Sequence, residues 1–135
     1  MIFLGIGSNL SSSFGNKIDN INLSISLLKK NKIKVLKTSS FYQSEAFPNK
    51  NDPKFINIVV EINTLLGPKD LMITLLKIEE KLERKRLKKN APRTCDIDII
   101  DYKREKINLN LESLQLQVPH KFLSDRNFVL YPLKE

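Results

Sequence analysis

The sequence predicts an α+β fold of the ferredoxin-like kind, an antiparallel sheet with helices packed on one face. Three observations predict it. Apolar residues alternate with period two over 55–63 and again after Asp96. They recur at helical spacing over 18–28 and 71–82. The resulting order of strand, helix, strand, strand, helix, strand is that of a split βαβ arrangement. With 135 residues, 41% of them hydrophobic and 28% charged, the chain is long enough to bury a core. Residues 1–135 are expected to form one domain.

Each element has its own signal. Ile2 to Ile6 reads as a buried strand that ends in the turn-forming Gly7-Ser8-Asn9-Leu10. Asn16 or Ser13 suits the N-cap of a helix carrying Ile18, Ile21, Ile25 and Leu28 on one face and stopping near Asn31. Ile33 to Phe41 follows as a strand. Gln43–Pro53, with its prolines and Asn/Asp residues, is expected to be a mobile loop. The next strand, Phe55–Asn63, puts Ile56, Ile58, Val60 and Ile62 on one face and Phe55, Asn57, Val59 and Glu61 on the other. Gly67-Pro68 opens a second helix whose inner stripe is Leu71, Leu75, Ile78 and Leu82. A basic loop, Glu83–Asn90, leads into an Asp-bearing strand, then a turn and short strand over Tyr102–Asn110, and an apolar segment near the C-terminus.

Charge narrows the partners. Lys and Arg total 23 against 15 acidic residues, a net charge of +8, which suits a nucleotide, a nucleic acid or a membrane surface. Lysines such as Lys29, Lys30, Lys32, Lys34 and Lys37 account for much of it as solvated surface. A single Cys rules out an internal disulfide and suits a reducing compartment. The apolar start, Met1 to Ile6, is far too short to span a bilayer. A cytoplasmic protein without membrane contact is the expectation.

The chemistry concentrates in Ala91-Pro92-Arg93-Thr94-Cys95-Asp96-Ile97-Asp98-Ile99-Ile100. On a strand, Asp96 and Asp98 project to one face with their Cα atoms roughly 6–7 Å apart. Ile97 and Cys95 point the other way, so the thiol reads as packed rather than nucleophilic. Adjacent carboxylates repel unless a cation lies between them, and Mg²⁺ with its oxygen ligands suits the place. On that view, removing either aspartate from the metal-free protein should leave its melting temperature unchanged or higher. Arg93 and the basic loop add donors for phosphate oxygens. An isolated Asp-x-Asp is most often a solvated strand edge, and these residues alone leave that open.

The segment from Lys89 to Ile100 resembles the signature of the 6-hydroxymethyl-7,8-dihydropterin pyrophosphokinases: a basic residue, then Pro-Arg, then Asp-aliphatic-Asp and two aliphatics. Further blocks in the same order resemble that family. They are Gly7-Ser8-Asn9, the segment Ser39–Phe47, the run Pro53-Lys54-Phe55-Ile56-Asn57, Val118-Pro119-His120, and Asp125–Leu133. The resemblance implies transfer of pyrophosphate from ATP, as co-substrate, to the hydroxymethyl group of the dihydropterin in tetrahydrofolate synthesis. Asp96 and Asp98 would then hold two Mg²⁺ ions, with Arg84 and Arg93 as the catalytic arginines on the phosphates. Glu79, Arg86, Arg93, Ile99, His120 and Arg126 would contact ATP. Ser44, Glu45, Ala46, Phe47, Phe55, Asn57 and Phe128 would hold the pterin, the two rings stacking on it. A monomer that binds no nucleic acid is expected.

From the residues alone several of these stay open. Phe55 and Phe128 could be core packing, Glu79 a solvated helix-edge residue, and His120 a helix cap. The sequence also departs from the pattern: Lys89-Asn90 stands where better-known members carry Arg-Trp, and Glu45-Ala46 where prolines are common. The chain stops soon after Tyr131-Pro132-Leu133, short of longer members. Slow or temperature-sensitive activity is the expectation. Two rivals remain. A basic ferredoxin-like domain on RNA would place exposed aromatics on its central strands. A metal-dependent nuclease or phosphatase would use the same two aspartates without needing a pterin.

Overall fold

The computed structural model describes residues 1–44, 53–84 and 92–103, together with the backbone of 107–111 and 114–118. Strand β1 is Ile2–Ser8, helix α1 Lys17–Lys30, β2 Lys34–Thr38, β3 Tyr42–Ser44, β4 Phe55–Asn63, α2 Pro68–Lys81 and β5 Asp96–Tyr102. Strands β6 (Ile107–Leu111) and β7 (Leu114–Val118) pair as a separate antiparallel hairpin. The main sheet runs β2-β4-β1-β5, with β3 also on β4. The pairings β1–β4, β1–β5, β2–β4 and β3–β4 are all antiparallel. This is the α+β ferredoxin-like fold that the periodicities predict.

The core lies between one sheet face and both helices. Ile2, Leu4 and Ile6 of β1, Ile58, Val60 and Ile62 of β4, and Ile97 and Ile99 of β5 form it with Ile21 and Leu28 of α1 and Leu71, Leu75 and Ile78 of α2. The register puts Ile6 opposite Ile97 and Ile58, and Leu4 opposite Ile99 and Val60, so each strand's apolar set faces the helices. Leu82, just past α2, is buried as its stripe predicts. Cys95 belongs to this core, and burial pushes its thiol pKa well up, away from nucleophilic chemistry. No helix among the described residues is long and apolar enough to cross a membrane.

Helix α1 starts at Asn16, whose side chain accepts the Asp19 N–H at 2.9 Å while the Asp19 carboxylate accepts the Asn16 N–H at 3.0 Å. Gly15 precedes it at φ +143°, and the Asp19 side chain fills the space where a Cβ would stand. Both helices end alike. Lys32 and Glu83 adopt left-handed φ values of 65° and 68°. The next N–H of each, from Ile33 and Arg84, turns back to Leu28 O and Glu79 O. The α2 ending thereby sets the backbone of Arg84.

Three local expectations change. Ile18 is exposed, and Asn20 and Ser24 take the buried α1 positions beside Ile21 and Leu28. Asn20 is tolerated there because it donates to Leu10 O and accepts from Ser12 Oγ. The strand expected over Ile33–Phe41 is shorter, because β2 spans only Lys34–Thr38, and a separate strand begins beyond it at Tyr42. Gln43 and Ser44, expected in a mobile loop, pair with Ile56 and Phe55 of β4. The rest of that loop, 45–52, lies outside the described residues.

Leu4→Ala should cost about 2–5 kcal/mol, because Leu4 is fully buried on a central strand, in the core that the sheet shares with the helices. Urea unfolding checks this, and a loss under 1 kcal/mol would mean that the core relaxes around the cavity.

Candidate active site

The face of the sheet turned away from the helices is built differently. Opposite Gly7 of β1 stand Asn57 of β4 and Asp96 of β5; opposite Gly5 stand Val59 and Asp98. Two glycines thus line the middle strand where the carboxylates and the amide flank it. Gly7 cannot be anything larger without movement: a Cβ there would lie 2.8 Å from Asn57 Oδ1 and 3.4 Å from Phe55 Cδ1. The missing side chain leaves room for both residues. Asn57, nearly fully buried, donates from Nδ2 to Ser44 Oγ at 2.9 Å. Phe55 is half-buried and outside the helix-side core, so it does not serve as core packing there.

Charge gathers at the same end. Arg84 Nη1 lies 2.9 Å from both Glu79 Oε2 and Asp96 Oδ1. Arg93 Nη1 donates to the other oxygen of Asp96 at 3.1 Å, and its guanidinium sits 5.9 Å from the centre of the Phe55 ring. Burial works to lower the pKa of Arg84, but Asp96, Glu79 and Asp98 more than offset this and the net shift is upward. The guanidinium is therefore a fixed positive charge.

Glu79 is not a solvated helix-edge residue. Its side chain is 3% exposed, and besides Arg84 it accepts the backbone N–H of Ile97 at 2.7 Å. Among the described residues strand β5 stands at the end of the sheet order, and this carboxylate satisfies its outward donor while holding the arginine. Arg84 in turn carries charge around that edge, from the helix side to the aspartate face.

These residues come from distant parts of the chain, and the structure brings Ser44, Phe55, Asn57, Glu79, Arg84, Arg93, Asp96 and Asp98 to one end of the sheet. Ile99 lies on β5 opposite Leu4, its side chain in the core. Glu45, Ala46, Phe47, Arg86, Lys89, Asn90, His120, Arg126 and Phe128 lie outside the described residues.

The chain belongs to the 7,8-dihydro-6-hydroxymethylpterin-pyrophosphokinase family. The model of that family matches residues 3–135. Over 99% of its length the chain is 38% identical to the 2-amino-4-hydroxy-6-hydroxymethyldihydropteridine pyrophosphokinase of Aquifex aeolicus, and the match covers 78% of that protein. It is 35% identical to the protein of the same name from Bacillus subtilis, over 98% of the chain and 75% of the relative. It is also 39% identical to the folic acid synthesis protein fol1 of Pneumocystis carinii, over 98% of the chain but only 17% of that larger protein.

Two contributors to this candidate site escaped the sequence analysis. Asn9, 2% exposed, accepts the Arg93 N–H on Oδ1 at 2.8 Å and donates from Nδ2 to Pro53 O at 3.0 Å. Glu83 receives the N–H and hydroxyl of Ser13 on its two oxygens, at 2.7 and 2.5 Å. The motif Gly7-Ser8-Asn9 was a visible signal for the first, but as a turn. Nothing local marks the second, whose partners are seventy positions apart in the chain.

Gly7→Ala should displace the Asn57 amide and cost about 1–3 kcal/mol through overpacking. The side-chain amide signal of Asn57 in a nitrogen-15 spectrum would move; an unchanged signal would show that the face has spare room.

Proposed function

We propose that residues 1–135 form one catalytic domain that transfers pyrophosphate from ATP to 6-hydroxymethyl-7,8-dihydropterin, giving AMP and the dihydropterin diphosphate. Family membership and the names of the relatives indicate pyrophosphokinase activity in folate synthesis. The observation that carries the assignment to this site is the convergence of Arg84 and Arg93 on Asp96, on the face where Phe55 and Asn57 also stand. The proposed unit of activity is a monomer.

The donor set fits Mg²⁺. Asp96 and Asp98 offer only oxygen, on one face, beside positions where glycine leaves space. Mg²⁺ characteristically takes one or two carboxylates and completes its shell with water and phosphate oxygens. Among the described residues no group of three His, Cys, Asp or Glu converges, so triphosphate and water would supply the remaining ligands. The two aspartates would hold two ions. When bound, Mg²⁺ supplies charge stabilisation on the phosphate oxygens.

The chain's own groups do the rest. Arg84 reaches Glu79 and Asp96 through Nη1, and a guanidinium carries five N–H donors, so its fork can also serve phosphate oxygens. Arg93 stands between Asp96 and Phe55, where triphosphate and pterin would meet. Phe55 offers a half-buried ring face to a flat heterocycle, and Asn57 next but one offers an amide to its edge. Glu79 reaches the nucleotide end by orienting Arg84. The hydroxymethyl oxygen bonds to the β-phosphorus, the bond from that phosphorus to the α-phosphate oxygen breaks, AMP leaves and the hydroxyl proton passes to solvent. Holding the reactants in line supplies most of the acceleration.

AMP should form from ATP, Mg²⁺ and the dihydropterin, and not when the pterin is omitted; pterin-independent phosphate release would instead favour hydrolysis. Asp98→Asn should lower turnover at least a hundredfold with the fold retained. Asp96→Ala should lose both activity and stability. The mutual-repulsion expectation fails for this residue, because its removal leaves Arg84 and Arg93 without their shared carboxylate. Near-normal turnover in both variants would remove the metal assignment.

Phe55→Ala should raise the pterin Kd with little change for ATP, since stacking contributes about 0.5–1.5 kcal/mol beyond area burial. Titration calorimetry with each substrate separates the two, and equal weakening of both would mean that Phe55 acts only through stability.

A further inference from the structure

We propose that Asn9 is a positioning residue for the transfer reaction, a buried bracket that sets Arg93 and Phe55 relative to each other. This deepens the pyrophosphokinase reading and rests on it. Asn9 is the first residue past β1, and with 2% exposure it presents almost no surface to a substrate. Its backbone N–H donates to Arg93 O at 3.1 Å, and its Oδ1 accepts the Arg93 N–H at 2.8 Å. One residue thus pairs both the N–H and the carbonyl of Arg93. Its Nδ2 donates to Pro53 O at 3.0 Å, two residues before Phe55.

The bracket is itself braced. Ser8 Oγ and Asn20 Nδ2 both donate to Leu10 O, and Ser12 Oγ donates to Asn20 Oδ1, so the turn after β1 is tied to the buried side of α1. Lys17 Nζ also reaches the Lys54 carbonyl, but that contact is exposed and water can replace it. The Asn9 side chain is itself buried and its contacts are part-buried, so water competes for them less. The ladder between β1 and β5 ends at the pair Gly7–Asp96, so beyond it Asn9 takes over the work of pairing.

The position requires an amide. An acceptor must face the Arg93 N–H and a donor must face the Pro53 carbonyl, on one short planar group. Asp keeps the acceptor but turns a carboxylate oxygen toward the Pro53 carbonyl oxygen. Gln keeps both groups one methylene further out. The Arg93 guanidinium and the Phe55 ring that Asn9 backs are already in contact, and they face the two substrates whose reacting atoms must align. A displacement of about 1 Å there can cost up to a hundredfold in rate.

The test compares wild type, Asn9→Asp and Asn9→Gln, each alone and in the Phe55→Ala background. Asn9→Asp should raise the pterin KM roughly tenfold and lower kcat roughly tenfold, with the ATP KM changed less than threefold. Asn9→Gln should fall between. In the Phe55→Ala background the effect of Asn9→Asp on pterin KM should largely disappear, because the ring it positions is gone. A lower melting temperature with unchanged kcat and pterin KM, or full additivity with Phe55→Ala, would overturn the proposal. Amide hydrogen exchange without substrate provides an independent reading. Arg93 N–H should be protected in wild type and in Asn9→Asp, and exposed in Asn9→Ala; equal exchange in all three would also overturn it. If wild type forms no AMP, the transferase reading fails, and the exchange pattern still decides whether the bracket exists.

Discussion

One nitrogen, Nη1 of Arg84, stands 2.9 Å from carboxylate oxygens on both α2 and β5, and the candidate site depends on it. Glu79 and Asp96 are both largely shielded from water, and neither would be stable there without a cation between them. Removing one member of such a buried group commonly costs about 3–5 kcal/mol, because the remaining charge is left uncompensated. The same nitrogen fixes the height of Asp96 above the sheet and draws the start of the basic loop against it. Stability and site geometry therefore share one cause. The ending of α2 reinforces this, since the Arg84 backbone is held by Glu79 O and its side chain by the carboxylate of the same residue.

Glycine does the complementary work on the middle strand. A five-stranded sheet with helices on one face would usually fill its other face with side chains or leave it wet. Here β1 presents Ile2, Leu4 and Ile6 to the helices and Gly5 and Gly7 to the other side. The flanking strands then lean their functional groups into the space: Asn57 and Phe55 from β4, Asp96 and Asp98 from β5. Helical packing holds the floor rigid, so that small groups on the far face keep their mutual distances.

The turn after β1 connects these parts without supplying a reacting group. Asn9 ties it to Arg93 and Pro53, Ser13 ties it to Glu83 beside Arg84, and Asn20 fastens it to α1. Both arginines on Asp96 thereby trace back to one short segment. Glu83 holds a left-handed φ of 68°, a conformation that costs a non-glycine residue about 1–2 kcal/mol and that its contacts with Ser13 offset. Fixing the arginines in advance reduces what binding would otherwise spend on ordering them.

Much of this was legible in the residues themselves. Period-two alternation in Phe55–Asn63 and Asp96–Ile100 assigned the strands and their two faces correctly, because side-chain direction on a strand follows from local geometry alone. The stripe Leu71, Leu75, Ile78 and Leu82 did the same for α2. The pattern of motifs carried the family, and with it the set of residues worth looking for. Local reasoning failed wherever a residue's environment was supplied from far along the chain. Ile18 has the right spacing for the core and is exposed, while Asn20 is buried because Leu10 and Ser12 satisfy it. Glu79 has the spacing of a helix edge and is buried because Arg84 and the Ile97 N–H meet it. Tyr42–Ser44 has too few residues to announce a strand and becomes one because β4 offers an edge. Asn9 looked like a turn residue and became a bracket because Arg93 and Pro53 arrive beside it. A sequence states which groups are present and which way each one points along its own element. Whether a polar group can be buried depends on partners that only chain folding brings within about 3 Å, and that is what the tertiary structure decided.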